Sequence, residues 1–286
     1  LNGYLIHNFN PDIIHATYFN KIKLNKKKPV VVTIFDLIHE KYYFDYNFKQ
    51  QIYPKKDILK IADKVICISN STKLNLKKYY NVEDNKLEVV HLGVDRSVIK
   101  KNYTIDSPYI LFVGTRWKYK NFSLLVSMLS KYNKILKDFK IVIFGGGGLS
   151  KTEIDNIKNN KLNFEKFIQI NGDDGILYEL YTNARALIYP SKDEGFGLPL
   201  LEAFLNKCPV VCSNIDVLKE VAGDAAEYFD LQDLNSFYES LNRVLYSDSI
   251  RNSLINKGLN RLNQFSWEKC AKETLNVYKK IWKKRL

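Results

Sequence analysis

The 286-residue sequence is poor in the devices that anchor, cross-link or metallate a chain. No apolar run approaches the ~20 residues needed to cross a bilayer, and no signal-peptide pattern is visible. The cysteines number four, Cys67, Cys208, Cys212 and Cys270, with neither zinc-type spacing nor histidine neighbours. Buried thiols in a reducing cytoplasm are the expectation. Glycine is scarce at the start, where Gly3 alone precedes Gly93. No Asp-x-Asp pair stands at a strand end, no GK[ST] closes the run Gly145–Gly148, and no nucleic-acid recognition motif accompanies the basic charge.

What is present points to a globular α/β chain long enough for two domains. Hydrophobic residues make up 45% of it, which excludes a disordered polypeptide. The net charge of +13 leans toward residues 1–104, which hold 18 Lys/Arg against 10 Asp/Glu. Its clusters are Lys26–Lys28, Lys55-Lys56 and Lys77-Lys78. Anionic lipid headgroups suit such clusters, and simple solubility is the equal alternative. Short apolar runs alternate with helical periodicities: strands near Asp12–His15, Val30–Phe35, Lys64–Ser69 and Leu87–Val90, then Tyr109–Val113, Phe139–Phe144, Phe167–Ile170, Ala186–Tyr189 and Pro209–Cys212. This is the pattern of parallel sheets covered by helices.

The stretch YPSKDEGFGLPLLEAFLNKCP, residues 189–209, organises the rest. It reads as strand end, glycine turn and helix, with Glu194 just before the turn and Glu202 inside the helix. A helix start after a glycine turn offers unpaired N–H groups and partial positive charge, so it suits phosphate. A second such place is Gly114-Thr115-Arg116-Trp117-Lys118-Tyr119-Lys120-Asn121, where a strand, a glycine and cations precede another helix.

PS-x-x-EGFGLP-x-LEA, G-x-R-x-x-Y-K-N and EVAGDAA together resemble the signatures of glycosyltransferase family 4, retaining enzymes of the two-domain GT-B fold. The resemblance implies two Rossmann-like domains with parallel sheets: a partial acceptor-side domain over residues 1–104 and a donor-binding domain over 105–266. A terminal helix of about 267–286 would return to the first domain. It also implies that the first domain is incomplete, because the glycine-rich loop that relatives carry in its first half has no counterpart. For the donor, a nucleotide-diphosphate sugar, Glu202 would hold the ribose and Glu194 the sugar. The diphosphate would fall to Arg116, Lys120 and the backbone at Gly195, Phe196, Gly197 and Leu198. Gly145 and Gly146 would wall the nucleotide pocket, with a plain loop as the other reading. In the DxxHE stretch, Asp36 and His39 are candidates to face the reacting sugar or acceptor, an ordinary loop histidine being the other reading.

The reaction so implied is retaining transfer of a hexose, mannose from GDP-mannose by family expectation or a UDP-sugar otherwise, to a glycan or lipid-linked acceptor in surface-polysaccharide or lipopolysaccharide assembly. No metal and no cofactor are expected, and no nucleic-acid partner. The expected location is cytoplasmic, with peripheral contact on the inner face of the membrane. The alternative is a non-catalytic glycosyltransferase-like subunit that binds donor or a partner.

Overall fold

Most strands form where a few apolar residues run together, because a sheet covered on both faces leaves little room for polar side chains. A computed structural model describes residues 11–18, 28–42, 49–99 and 101–282. The chain divides into two compact units. One takes in Leu1–Gly93, Glu194–Phe196 and Phe265–Leu286, and the other Val94–Asp193 and Gly197–Gln264.

In the first unit, β1 (Ile14–Ala16), β2 (Val30–Ile34), β3 (Lys64–Cys67) and β4 (Leu87–Val89) form a parallel sheet in that order. Alternation along β2 and β3 decides which helix each residue meets. Val32 and Val65 face a cluster with Leu37 and with Ile58, Leu59 and Leu76, the last three brought by helices Lys49–Ile61 and Asn70–Tyr80. Val31 and Ile66 face the opposite way, onto Val277 and Ile281 of the terminal helix Trp267–Trp282. Lys26 and Lys27 of the first basic cluster lie outside the described residues.

In the second unit, six parallel strands run β10-β9-β8-β5-β6-β7: β5 Tyr109–Val113, β6 Lys140–Phe144, β7 Phe167–Ile170, β8 Ala186–Tyr189, β9 Val210–Ser213 and β10 Ala226–Phe229. Counted within the unit this is the doubly wound order 3-2-1-4-5-6. The chain reverses direction of travel between β5 and β8, and at such a switch the loops leaving the two strands part and open a crevice. The unit begins earlier than the expected boundary near 104. Tyr178 Oη donates to the Asp95 carbonyl, Arg96 to that of Leu262, and the Lys101 amide to that of Gly175, so Asp95, Arg96 and Lys101 are tied to the second unit.

The helix after β5 is two pieces, Phe122–Lys131 and Ile135–Asp138. Helix Lys151–Asn159 is polar with only Ile157 buried, and it starts at a reciprocal capping box between Ser150 and Glu153. β10 is an edge strand, AEYF, with its two central residues half-buried. Cys67, Cys208 and Cys212 are buried, and burial pushes the thiols of Cys67 and Cys208 up to about 12, so they pack as neutral side chains. Among the described residues no helix is long and apolar enough to cross a membrane.

Candidate functional site

At the switch point of the second unit, β5 ends at Gly114, whose φ of +112° turns the backbone in a way a side chain would resist. The loop that follows carries Lys120 to β8, where its Nζ donates to Tyr189 Oη at 2.7 Å. The loop leaving β8 answers with a bond from the Lys192 amide to the Tyr119 carbonyl, 2.7 Å. Lys120 is thus held half-buried at the crevice that the strand order opens.

Helix Leu198–Leu205 starts beside this crevice. Gly197 precedes it at φ +109°, and a Cβ there would lie 2.9 Å from Leu218 Cδ2. Pro199 fits the first turn, Gly197 has no side chain with which to cap the helix, and the Leu200 amide donates to the Gly197 carbonyl at 3.0 Å. Glu202 follows one turn later, half-buried, and accepts a bond from the fully buried Tyr181 Oη at 2.9 Å. Burial raises its pKa, the Tyr181 bond opposes that, and Asp174 adds to it.

Arg116 sits differently from the open diphosphate clamp expected of it. Its Nε pairs with Glu153 Oε1 at 2.7 Å, and Nη1 donates to the Gly145 carbonyl at 2.8 Å and to Gln169 Oε1 at 3.3 Å. Nη2 reaches the carbonyls of Gly146, Gly147 and Gly148 at 3.2, 3.1 and 2.8 Å. The guanidinium has five N–H groups, and every nitrogen that carries them is engaged. The glycine run makes this possible: Gly145, Gly146 and Gly147 have φ of +84°, +73° and +72°, which curls their carbonyls inward. Phosphate is cradled by N–H groups, whereas this run presents oxygen to a cation. Gly145 and Gly146 therefore face Arg116, and a Cβ on Gly146 would lie 2.9 Å from its Nη1.

The other expected residues belong to the first unit. Asp36 Oδ1 accepts from the Ile38 amide at 3.0 Å and so starts the short helix Ile38–Lys41 that carries His39. Burial, then the nearby Lys55 charge, hold the half-buried His39 below its usual pKa against the opposing pull of Asp36 and Glu40. Beneath them Lys55 is fully buried, donating to the Asp36 carbonyl at 3.1 Å and to Glu40 Oε2 at 2.9 Å, while Tyr80 Oη donates to the other oxygen of Glu40. Lys55 is thus an internal cation rather than part of a surface cluster. Gly195 is there because nothing else fits: a Cβ would stand 2.1 Å from the Phe35 carbonyl. Its own carbonyl accepts from Ser69 Oγ at 2.8 Å and Thr72 Oγ1 at 3.3 Å. The Phe196 ring lies against His91 and Phe265, each centroid 5.8 Å away, and Glu194 beside it is 9% exposed. Sequence reasoning missed Ser69, Thr72, Lys55 and Tyr181. Of these only Ser69 left a signal, as the hydroxyl that caps helix Asn70–Tyr80.

Two units built on parallel sheets, the second doubly wound with an anion-competent crevice, define a GT-B glycosyltransferase fold, and solved structures agree. Sucrose-phosphate synthase from Thermosynechococcus elongatus superposes with a TM-score of 0.78 at 19% identity, over 98% of this chain and 76% of that one. WaaG, a glycosyltransferase involved in lipopolysaccharide biosynthesis, gives 0.74 at 12% identity, over 96% and 80%. The model of the glycosyl transferases group 1 family matches residues 95–261, that of Glycosyltransferase Family 4 matches residues 3–98, and the chain belongs to the group 1 glycosyl transferases. It is 28% identical to O-antigen chain mannosyltransferase B of Escherichia coli, over 82% of this chain and 66% of that protein. It is 29% identical to the O-antigen chain mannosyltransferase RfbU of Salmonella typhimurium, over 74% and 60%. The chain thus spans about two thirds or less of the length of these relatives.

Proposed function

We propose that the chain transfers a hexose, mannose in the first instance, from a nucleotide-diphosphate sugar to a hydroxyl of a glycan or lipid-linked acceptor in surface-polysaccharide assembly, with retention of configuration and without a metal ion. The observation that carries this reading is Glu202, fixed by Tyr181 one turn into an uncapped helix beside the β5–β8 crevice. A carboxylate so placed accepts from the two ribose hydroxyls while the diphosphate lies on the helix amides.

Lys120 then supplies the cation that neutralises the diphosphate as it departs, and its charge matters more as the sugar bond breaks. Arg116 does its part indirectly, by holding the Gly145–Gly148 loop in one shape. Glu194 orients the sugar and stabilises positive charge developing at the anomeric carbon, with the acceptor attacking from the face the diphosphate leaves. His39, kept neutral, is a hydrogen-bonding group for donor sugar or acceptor, and Asp36 positions it. GDP-mannose is the donor suggested by the mannosyltransferase relatives, with a UDP-sugar as the competing donor. Surface lysines such as Lys77 and Lys78 make contact with anionic lipid part of the same reading, tested by sedimentation with phosphatidylglycerol vesicles.

Calorimetry with GDP and UDP tests the core of it. Glu202→Ala should weaken binding of the preferred nucleotide by about 1.5–3 kcal/mol, and an unchanged affinity removes Glu202 from the site. Turnover should persist in EDTA; its loss, with restoration by magnesium, would refute the metal-free mechanism.

A further inference from the structure

At the Arg116–Lys120 loop, the second unit contains a cavity of about 530 Å³ between the start of helix Phe122–Lys131 and the length of helix Lys151–Asn159. Its size is that of a small-molecule site. Neither Glu202, Lys120 nor Gly197 lines it, so it is not the crevice assigned to the donor. We propose that this cavity binds a neutral saccharide, a glycan segment held apart from the transfer site.

Three features select that ligand. The first is an aromatic platform. Trp117, 50% exposed, stands at the cavity, and a pyranose ring has an apolar C–H face that packs on an indole. The second is the kind of polar group around it. Asn121 is only 5% exposed, adopts a left-handed backbone at φ +59°, does not cap the helix it precedes, and lines the cavity. With Asn159 and Ser123 it gives paired donors and acceptors, which is what equatorial hydroxyls require. The third is charge balance. Arg116 is neutralised by Glu153, and of the remaining ionised lining groups Lys118 and Asp155 carry opposite signs. The ionised side chains of the lining therefore sum to zero charge. An uncharged polyol suits that balance.

This inference goes beyond the transferase reading, because binding at the cavity can be measured without turnover. The full chain, labelled with nitrogen-15, is titrated with mannotriose and separately with maltotriose while the indole resonances of Trp117, Trp267 and Trp282 are followed. A saturable shift of Trp117 alone is expected with at least one trisaccharide. Asp155→Ala and Asn159→Ala should each weaken it by roughly fivefold, the loss of one or two hydrogen bonds. Trp117→Phe should preserve binding, read from backbone resonances of residues 151–159, and Trp117→Ala should abolish it. Glu202→Ala should leave it unchanged whether or not Glu202 binds nucleotide. The proposal is overturned if neither trisaccharide shifts Trp117, if the helix variants bind as well as the parent, or if GDP or UDP displaces the sugar.

Discussion

In the second unit a single apolar cluster runs from Ile110 and Phe112 through Val126, Ile141 and Ile188 to Phe237 and Leu241, while Arg116 and Lys120 stand on the loop that leaves β5 and Glu202 one turn into a helix. The first unit has smaller apolar clusters and places polar chemistry inside. Lys55 is buried on Glu40, and His15 lies between Tyr278 Oη at 2.6 Å and Thr33 Oγ1 at 2.8 Å. All four histidines, His7, His15, His39 and His91, precede Gly93. An apolar doubly wound core gives a rigid frame on which a few loop residues can be aimed. A core with buried ionisable groups stays folded only while each keeps its partner, so it is the unit that pH and single substitutions should distinguish.

The largest effect should come from Gly195→Ala. Its Cβ would meet the Phe35 carbonyl at 2.1 Å, backbone that cannot swing aside. We expect a loss of about 3 kcal/mol or more in urea unfolding, against less than about 0.5 kcal/mol for Gly148→Ala, which meets nothing within 4 Å. Equal behaviour of the two would mean the Phe35–Gly195 packing is not as described.

Arg116→Gln should come next. Removing the charge leaves Glu153 and the carbonyls of Gly145–Gly148 without their donor. A cost of about 1–3 kcal/mol should appear as faster hydrogen exchange over residues 145–150, with the first unit unaffected. Retained protection there would show that the glycine loop holds its shape unaided.

A smaller effect should follow acidification. Burial holds His15 and His39 below their usual pKa, with Lys55 adding to this at His39. Below the unfolded value near 6.5 the unfolded chain binds protons that the folded chain resists, so this contribution is intact above that pH and is lost as pH falls through it. Hydrogen exchange at pH 7.5 and 5.5, corrected for intrinsic rates, should show loosening of β1, β2 and helix Trp267–Trp282 but not of β5–β9. His15→Gln should reduce the difference, and loosening confined to the second unit would contradict the contrast drawn above.

The strands were legible because burial on both faces forces unbroken apolar runs such as VVVTI and YILFV. The turn around Gly197 and the placement of Glu202 were legible because glycine, proline and helical spacing each have one local cause. Helix Lys151–Asn159 escaped because it buries only Ile157, although Ser150 and Glu153 spelled its capping box. Lys55-Lys56 on a helix resembles any solvated pair, and only the fold brings Glu40 to one of them. Arg116 and Lys120 shared one loop and one charge in the sequence. Which of them faces a ligand depends on where the Gly145–Gly148 carbonyls point, and no spacing within residues 114–121 contains that.

The assignment of the diphosphate to Lys120 rather than Arg116 is tested most directly by steady-state turnover of Lys120→Ala alongside its thermal unfolding. Turnover number should fall by roughly 10²–10³, as when one oxyanion donor is lost, with little change in Michaelis constant and a melting temperature close to that of the parent. Full turnover in Lys120→Ala, with that loss appearing instead in a stably folded Arg116→Lys, would contradict it.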